Sequence, residues 1–260
     1  MRWVFLLFAL ALPAQAETLR LAVTTSFDNS GLSDVLIPAY EAASGDEVRL
    51  IVVGTGRALG LGAAGDVDAA LTHAPEAEAR AVEAGHFSYR REIMFNDFVL
   101  VGPGDDPAAT GDASSAADAF ARIAAATAPF ASRGDDSGTH KSELRLWEAA
   151  GLSPAAASGR WYREMGAGMG PTLNAAVAMG AYALTDRASW LTFGNQRGHA
   201  ILFEGDPALF NQYAFLPVAL GRNRAPKATA RLEAWLTGPG QEAIAAYRLE
   251  GAPLFTPNAK

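Results

Sequence analysis

The side chains best suited to chemistry lie in one stretch, Ser132–His140, which reads Ser-Arg-Gly-Asp-Asp-Ser-Gly-Thr-His. The pattern predicts a short strand over Pro129–Ser132 and a helix over Ser137–Ala150. Arg133 offers a rigid fork of hydrogen-bond donors that suits a tetrahedral oxyanion. Residues 137–139 would form the first helical turn, where hydroxyls and free N–H groups face the same point. We therefore expect an anion site here. An exposed loop, with Arg133 paired to a neighbouring carboxylate, is the alternative.

Two further donor-rich junctions lie near the start of the chain. Thr24–Ser26 follows a predicted strand over Leu19–Val23, and Gly54–Gly56 follows another over Val48–Val53. In a parallel sheet, ligands bind beyond the carboxyl ends of the strands, so both junctions could face one ligand. The alternatives are an ordinary helix cap and a plain glycine turn. The glycines miss the dinucleotide-binding fingerprint, because Leu59 stands where that fingerprint requires glycine.

Two weaker junctions follow in the second half. Gly166–Gly170 leads, through a proline that is typical of a first helical turn, to Thr172 and a predicted helix that ends near Gly180. Thr185–Arg187 follows a predicted strand over Ala181–Leu184. Junctions in both halves thus carry Ser, Thr, Gly or Arg, as a cleft for one small oxyanion requires.

Enzymatic hypotheses use the same central stretch. Ser137 and His140 could act as nucleophile and base of an exported hydrolase, although Gly134–Gly138 does not match the G-x-S-x-G nucleophile elbow. Asp135, Asp136 and His140 could hold a metal ion, although the sequence has no second histidine cluster with ligand spacing. We expect a binding protein without catalytic residues or a cofactor, and the hydrolase remains the alternative.

Composition narrows the class of protein. The 260 residues are 50% hydrophobic and 19% charged, which is ordinary for a globular protein and excludes a long disordered chain. Asp and Glu number 28 against 21 Lys and Arg, a net charge of −7, so we expect no binding to nucleic acid or to an anionic membrane. The sequence has no cysteine, which excludes disulfides and thiolate metal sites.

The first sixteen residues have the three regions of a signal peptide. Arg2 is a lone positive charge, Trp3–Leu12 is an unbroken apolar run, and residues 14–16 are Ala-Gln-Ala, as a signal peptidase requires. The apolar run is shorter than the roughly 20 residues of a membrane-spanning helix. We expect cleavage after Ala16 and a periplasmic protein that is not inserted in the membrane. A buried N-terminal helix is the alternative.

The rest of the chain alternates strand and helix patterns in two successive units. Short β-branched runs are typical of buried parallel strands, and 3.6-residue apolar periodicity is typical of helices. Further predicted strands are Ala69–Thr72, Phe98–Val101, Trp161–Glu164 and Phe215–Leu220. Further predicted helices are one with Leu32, Val35, Leu36, Ala39 and Tyr40 on one face, and Pro75–Gly85, Ala116–Ala126, Ala228–Leu236 and Gly240–Leu249.

The alternation predicts an α/β protein with a parallel sheet flanked by helices. Two such units without a long polar linker suggest two lobes. The chain would leave the first lobe along Phe98–Val101 and return along Tyr213–Val218. One wide sheet would give the same pattern.

Together these segments resemble the periplasmic tungstate-binding proteins of the Tup type, the substrate-binding components of ABC importers. The resemblance runs from about Leu19 to Asn258. It rests on a set of short motifs, namely Thr24–Ser26, Val53–Leu59, Thr72–Pro75, Phe95–Pro103, Ser132–Lys141, Gly168–Asn174, Gly180–Arg187 and Glu204–Asn211.

The resemblance implies a type II periplasmic-binding-protein fold, in which each lobe is a mostly parallel sheet flanked by helices and crossing hinge strands join the lobes. Lobe I would comprise residues 17–99 and 213–260, and lobe II residues 100–212. The resemblance further implies tungstate as ligand, molybdate as a possible second ligand, an ABC-transporter membrane permease as partner, and a monomer. The matching ligand-binding residues are Thr25, Ser26, Thr55, Arg133, Ser137, Gly138, Thr139 and Thr172.

The ligand's charge gives a chemical criterion for the site. Tungstate and molybdate are unprotonated dianions near neutral pH, so their site should present donors and no carboxylate. A site for protonated phosphate benefits from one carboxylate acceptor, and Asp135 and Asp136 leave a phosphate or sulfate carrier open. An exported anion sensor without a transporter is a third hypothesis. Val23 departs from the resemblance, since the family usually has threonine there.

Overall fold

The computed structural model describes residues 16–249 and 251–260. The predicted signal peptide lies outside the described residues except for Ala16. No helix of the described residues is both long enough and apolar enough to cross a membrane. The strands are β1 (Thr18–Thr24), β2 (Glu47–Val53), β3 (Ala69–Thr72), β4 (Arg91–Pro103), β5 (Phe130–Ser132), β6 (Tyr162–Glu164), β7 (Ala183–Asp186), β8 (His199–Phe203), β9 (Phe210–Pro217), β10 (Arg248–Leu249), β11 (Ala252–Pro253) and β12 (Thr256–Pro257).

Helices connect these strands, with three additional short 3-10 turns. Local sequence explains where several of them begin and end. α4 and α9 begin at Pro75 and Pro226, whose fixed φ suits the first helical position. Ser137 caps α6 by accepting the backbone N–H of His140. The helices are α1 (Thr25–Asn29), α2 (Ser33–Ser44), α3 (Thr55–Ala64), α4 (Pro75–Glu83), α5 (Ala116–Ala125), α6 (Gly138–Ala149), α7 (Met169–Met179), α8 (Arg187–Leu191), α9 (Pro226–Thr237) and α10 (Pro239–Ala246).

The main sheet has the strand order β12-β4-β9-β3-β1-β2, with β7 and β8 pairing to β4 beyond this path. β1 lies between β2 and β3 and is parallel to both. β9 is antiparallel to β3 and to β4. The first three strands therefore end at one common edge, which is where the fold presents a ligand site.

β4 pairs with different strands along its 13 residues. Its first part, Arg91–Asp97, pairs with β9, and its second part, Phe98–Pro103, pairs with β7 and β8. β5 and β6 form a separate parallel pair. A single strand thus continues from one half of the molecule into the other.

The α/β class and the two-lobed architecture predicted from the sequence are confirmed, but the sheets are mixed rather than mostly parallel. Only the β1–β2, β1–β3 and β5–β6 pairs of the described residues are parallel among the pairs named above. The long strands β4 and β9 run antiparallel to their neighbours. A strand that leaves a lobe and a strand that returns to it run in opposite directions, so their pairing must be antiparallel.

Hydrophobic side chains form a core on both faces of the sheet formed by β1, β3 and β9. Leu21 and Phe215 pack on one face with Leu232 of α9, whereas Ala22 and Leu216 pack on the other. This alternation follows from the two-residue period of a strand. We call the part of the molecule around this core lobe I.

A second core surrounds the later part of β4. Phe98 and Leu100 pack with Phe120, Phe130 and Trp147 on one face. Val99 and Val101, which alternate with them along β4, pack against α7 on the other face, where Leu173 is buried. We call the part of the molecule around this core lobe II.

Several elements differ from the sequence-based prediction. α1, α3, α8 and β8 were not predicted, and β4 is longer than the predicted Phe98–Val101. α3 contains three glycines among its ten residues and has a weak helical signal, so packing against β1 and β3 stabilises it instead. On α2, Val35 and Ala39 are exposed, while Leu36 and Tyr40 are buried as predicted.

Candidate functional site

Three parallel strands of lobe I deliver polar residues to one edge of the sheet. β1 ends at Thr24, β2 is followed by Gly54 and Thr55, and β3 is followed by His73. Thr24 is the register partner of Val53, so the ends of β1 and β2 are level. After each of these strands, the chain turns directly into a helix or a loop. The sequence positions are far apart, but the sheet brings them together.

Lobe II contributes the turn after β5. Gly134 and Asp136 adopt left-handed conformations, with φ of 59° and 58°. Together they turn the chain so that α6 begins at Gly138 with Ser137 as its cap. The N–H groups of a first helical turn have no partner within the helix, and the positive end of the helix dipole lies there. α6 therefore presents donors to the same space that Arg133 faces.

These two sets of residues line one small pocket, with about 200 Å³ of space not filled by protein atoms. Seven of the eight residues predicted to bind ligand are among its lining residues. The lobe I wall comprises Thr24, Thr25, Ser26, Gly54, Thr55 and His73, and the lobe II wall comprises Arg133, Ser137, Gly138 and Thr139.

Two donors at this pocket are buried without a hydrogen-bond partner. Among the side chains that the structure describes, Thr55 Oγ1 and Arg133 Nε have none. Thr55 is 1% exposed and Arg133 is 8% exposed. A buried donor left unpaired costs about 1–3 kcal/mol, so native proteins seldom keep one without a reason. Both lie where an acceptor held in the pocket would satisfy them.

Both carboxylates of the central stretch lie outside the pocket lining. Asp135 accepts from Arg133 Nη2 and from the backbone N–H of Ser137. Burial works against the charged form of Asp135, but the hydrogen bonds from Ser137 and the charge of Arg133 outweigh it and lower the pKa of that carboxyl. Asp136 is 82% exposed in its side chain and pairs with Lys141 at 3.1 Å. Asp135 thus braces Arg133, and neither carboxylate is aimed at the pocket.

Thr172 is the predicted residue that the structure does not bring to the pocket. It lies in the first turn of α7 and is fully buried. Its hydroxyl donates to the carbonyl of Gly168 at 3.0 Å. Because a hydroxyl has one proton, this bond leaves none for a ligand. The prediction that Thr172 binds the ligand with its side chain does not agree with this geometry.

The side chains of the weaker junction, Thr185–Arg187, are also hydrogen-bonded within the protein. Asp186 caps α8 by accepting from the backbone N–H and the hydroxyl of Ser189. Arg187 donates to Asp97 and to Glu204, so its positive charge is already paired. The side chains of this junction are therefore engaged within the protein.

The geometry does not support a serine hydrolase or a metal centre. Ser137 Oγ accepts the backbone N–H of His140, while His140 Nδ1 accepts the backbone N–H of Asp136. The ring of His140 is therefore not hydrogen-bonded to Ser137, as a base bonded to its nucleophile would be. Among residues 16–249 and 251–260, no three His, Asp or Glu side chains are grouped to hold a metal ion.

His73 is the residue of the lobe I wall that the sequence analysis missed. Its Nε2 lies 3.0 Å from Ser26 Oγ and its Nδ1 lies 2.7 Å from Asn211 Oδ1. Burial lowers the pKa of His73 to about 4 despite the hydrogen bond with Asn211, and the charges of Arg133 and Arg145 lower it too. His73 directly follows β3, next to the two recognised junctions. Its position after a strand was the signal that could have found it.

The two walls approach each other most closely at His73 and Gly138. A Cβ atom placed on Gly138 would lie 2.5 Å from His73 Cε1. No side chain fits at such a distance, so glycine is required for the walls to meet. The pocket thus consists of donors from two lobes in close contact, with one guanidinium and without a lining carboxylate. Such a site can hold a small anion that offers only acceptors.

The fold and the site together define a class of protein. A family model described as a PBP superfamily domain matches residues 11–236, and the chain belongs to that superfamily. A solved structure of a relative has the same fold. The tungstate-binding protein TupA of Desulfovibrio alaskensis superposes with a TM-score of 0.84 at 42% identity, covering 94% of this chain and 100% of that one.

The names of two other relatives indicate which family within this superfamily the chain resembles. The chain is 42% identical to the tungstate-binding protein TupA of Peptoclostridium acidaminophilum, over 92% of this chain and 85% of that protein. A tungstate ABC transporter structure from Geobacter sulfurreducens has a TM-score of 0.79 and 42% identity, covering 88% of this chain and 98% of that one. The chain belongs to the family of TupA tungstate-binding proteins.

Proposed function

We propose that this protein binds a tetrahedral oxyanion, tungstate with molybdate as a second ligand, between the two walls of the pocket. The observation that carries the proposal is the pair of buried, unpartnered donors, Thr55 Oγ1 and Arg133 Nε, which face the pocket from opposite lobes. A dianion placed between them accepts from both. The names of the relatives support the choice of tungstate.

Each proposed ligand-binding residue supplies donors and no negative charge. Arg133 contributes a charge-assisted hydrogen bond, which is about twice as strong as a neutral one. The starts of α3 and α6, at Thr55 and Gly138, add backbone N–H groups and helix dipoles. Thr25, Ser26, Ser137 and Thr139 add hydroxyls. Protonated phosphate benefits from a carboxylate acceptor, and no carboxylate lines the pocket.

We infer that the protein acts in import rather than catalysis. It would hold the oxyanion in the periplasm after removal of a signal peptide over residues 1–16 and deliver it to the permease of an ABC transporter. It would act as a monomer, without a cofactor. Lobe I would comprise residues 17–99 and 213–260 and lobe II residues 100–212, and the separation of the two hydrophobic cores supports this division.

Isothermal titration calorimetry with tungstate, molybdate, sulfate and phosphate tests the proposal. We expect tungstate and molybdate to bind tightly and sulfate and phosphate to bind far more weakly. A matched control is the variant Arg160→Gln, which removes an exposed lobe II cation that does not line the pocket. Tight phosphate binding without tungstate binding would replace this proposal with a phosphate carrier, and no binding of any of the four would refute an oxyanion site.

A further inference from the structure

A chain of buried polar side chains leads from the pocket to the strands that join the lobes. Ser26 Oγ contacts His73 Nε2, His73 Nδ1 contacts Asn211 Oδ1, and Asn211 Nδ2 donates to Asn96 Oδ1 at 2.7 Å. All four side chains are buried. Asn96 and Asn211 are register partners on β4 and β9. The first member of the chain belongs to the proposed oxyanion site.

In the structure, each hydrogen bond of this chain is donated in the direction from Ser26 toward Asn96, away from the pocket. Asn211 presents its carbonyl oxygen to His73, so the proton of the neutral ring is on Nδ1. Nε2 is then an acceptor, and the hydroxyl of Ser26 is the donor in contact with it. Ser26 has a single proton, which is thereby directed at His73 and not at the pocket. In this direction Asn96 Nδ2 is buried without a partner.

The opposite direction is available to the same four side chains. When both amides rotate by half a turn, Asn96 Nδ2 donates to Asn211 Oδ1 and Asn211 Nδ2 donates to His73 Nδ1. The ring then carries its proton on Nε2 and donates to Ser26 Oγ. The hydroxyl proton of Ser26 is then released from His73. It can point into the pocket or to Thr24 Oγ1 and Tyr213 Oη, which lie 3.1 Å and 3.2 Å from Ser26 Oγ. The net number of protons does not change, since the ring loses the Nδ1 proton and gains one at Nε2.

Reversal also removes the unsatisfied amide donor of Asn96. In the reversed direction Asn96 Oδ1 lacks a donor instead. A buried carbonyl without a partner is better tolerated than a buried N–H group, because carbonyls are more often left under-satisfied in native structures. The unpaired Asn96 Nδ2 therefore favours the reversed direction once an acceptor in the pocket receives the proton of Ser26. Binding of an anion and reversal of the chain stabilise each other.

We propose that His73 is a positioning residue of the oxyanion site: in the anion-bound protein its neutral ring carries the proton on Nε2, donates to Ser26 Oγ, and thereby aims the hydroxyl proton of Ser26 at the anion. The inference rests on the proposed oxyanion function. It goes beyond that function because it assigns to His73 a role that acts on the ligand through Ser26.

The surroundings of His73 favour a change of tautomer over a change of charge. Asn211, Tyr213 and Ser26 face the ring from lobe I, and Arg133 and Arg145 act on it from lobe II. None of these groups is an anion that would stabilise an imidazolium. Burial, with the two guanidinium charges, keeps the pKa at about 4. The ring is therefore neutral in the ligand-free protein at physiological pH.

The direct test is nitrogen-15 NMR of histidine-labelled protein, which separates the two neutral tautomers and the doubly protonated ring by their nitrogen shifts. The chain has four histidines, and the spectrum of His73→Gln assigns the signal of His73. We expect the Nδ1–H form without ligand and the Nε2–H form with saturating tungstate. A bound form with the proton on Nδ1, or with both nitrogens protonated, would overturn the inference.

Calorimetry separates the failure of this inference from the failure of the proposed function. If tungstate binds and the tautomer does not change, the oxyanion site stands and the positioning role is wrong. If no oxyanion binds, both are wrong. The NMR shift is a readout that a purely structural role of His73 would not move.

A double-mutant cycle provides an independent test. His73→Met removes the donor at similar volume, and we expect affinity for tungstate to fall about fivefold to tenfold, as for one lost hydrogen bond. His73→Gln keeps a neutral donor and should recover most of that loss. In a Ser26→Ala background, His73→Met should change affinity little, because the proton it positions is gone.

The control for the cycle is His86→Gln, since His86 lies outside the pocket lining. Its affinity should match that of the unaltered protein in both backgrounds. Additive losses for His73→Met and Ser26→Ala would show that the two residues act separately, and the inference would be wrong. A similar loss in His73→Met and His73→Gln would also contradict it.

Discussion

The two walls of the pocket would face the same anion with different chemistry. The lobe II wall is charged, and its guanidinium is held by the adjacent carboxylate of Asp135. The lobe I wall is neutral, since its histidine has a pKa of about 4, and its hydroxyls are ordered by hydrogen bonds that start at Asn211. One wall thus supplies attraction, and the other supplies oriented donors.

This difference indicates why both lobes are needed. Charge attracts every anion, whereas oriented neutral donors distinguish one shape and protonation state from another. A buried anion must also recover the hydrogen bonds that it loses from water. Neither wall has enough donors to surround a tetrahedral ion from all sides. We therefore expect substitutions in the two walls to reduce anion affinity to different extents and for different reasons. The predictions below test that contrast.

The largest expected effect comes from the charged wall. Arg133→Glu should abolish tungstate binding, and Arg133→Gln should weaken it about 30-fold or more, because removing one partner of a buried charged pair costs about 2–5 kcal/mol. Calorimetry measures the affinity. Circular dichroism should show an intact fold in both variants. Tungstate affinity that Arg133→Gln leaves unchanged would rule out the charged wall as the source of attraction.

The next largest effect should come from the contact between the walls. Gly138→Ala places a Cβ atom 2.5 Å from His73 Cε1, so the lobes can no longer meet as they do here. Overpacking of this kind costs about 1–3 kcal/mol, which corresponds to a loss of affinity of about fivefold to 100-fold. Gly56→Ala is the matched control, because its Cβ would meet its nearest neighbour at 3.7 Å. Equal affinities in the two variants would contradict a site formed by close approach.

A smaller effect is expected at the neutral wall. Thr55→Val removes an unpaired hydroxyl at constant shape, and the lost hydrogen bond should weaken tungstate binding by about fivefold to tenfold. The ligand-free variant should be as stable as the unaltered protein or more stable, since a buried unsatisfied donor has been removed. Thr55→Ser should keep the affinity. Chemical denaturation and calorimetry check the two halves of the prediction, and a loss of both stability and affinity would contradict it.

The walls also differ in how far the sequence could predict them. The lobe II donors lie within seven residues of one loop and helix start, so Arg133 and the cap at Ser137 could be recognised locally. The lobe I wall comes from three separate strands. Thr24 and His73 become neighbours only because β1 and β3 are paired, and that pairing has no local signal.

Other differences have the same origin. The strand and helix pattern indicated an α/β protein, but it could not show that β4 and β9 pair antiparallel to each other. Thr172 stands at a helix start, as predicted, yet its hydroxyl bonds to its own backbone. The direction of a short polar side chain depends on local competition for its proton, which residue type alone does not determine.

Both walls should be insensitive to pH near neutrality. Arginine and hydroxyl side chains do not titrate between about pH 6 and 8. Burial keeps the pKa of His73 at about 4 and lowers that of His140 as well. Tungstate affinity should therefore change by less than about twofold over this range. Calorimetry at several pH values measures it, and a clear slope would indicate either a titrating residue at the site or a ligand that titrates, as phosphate does with a second pKa of about 6 to 7.

The smallest effect on affinity is expected behind the charged wall. Glu143 on α6 is buried, and its carboxyl accepts from Tyr162 Oη at 2.7 Å and Trp147 Nε1 at 3.1 Å. Burial, opposed by these hydrogen bonds, raises the pKa of Glu143 to about 7. Since Glu143 does not line the pocket, Glu143→Gln should leave tungstate affinity unchanged. Its effect should appear in the free energy of unfolding instead.

The two lobes should respond to pH with opposite signs. Glu143 binds its proton more tightly in the folded state, so its contribution to stability is present below about pH 4.5 and is lost as pH rises through about 7. His73 binds its proton less tightly in the folded state, so its contribution is present above about pH 6.5 and is lost as pH falls through about 4. Between these limits the two contributions oppose each other.

Glu143→Gln removes one of the opposing contributions and so isolates the other. At pH 8 the variant should be more stable than the unaltered protein by about 2–3 kcal/mol, since each unit of pKa shift corresponds to about 1.4 kcal/mol. At pH 4.5 most of this gain should be absent, because Glu143 is then protonated in the folded state and about half protonated in the unfolded state. Urea denaturation of the ligand-free proteins at the two pH values measures the difference. An equal gain at both pH values would assign it to packing, and the buried carboxyl of lobe II would have no part in the pH response.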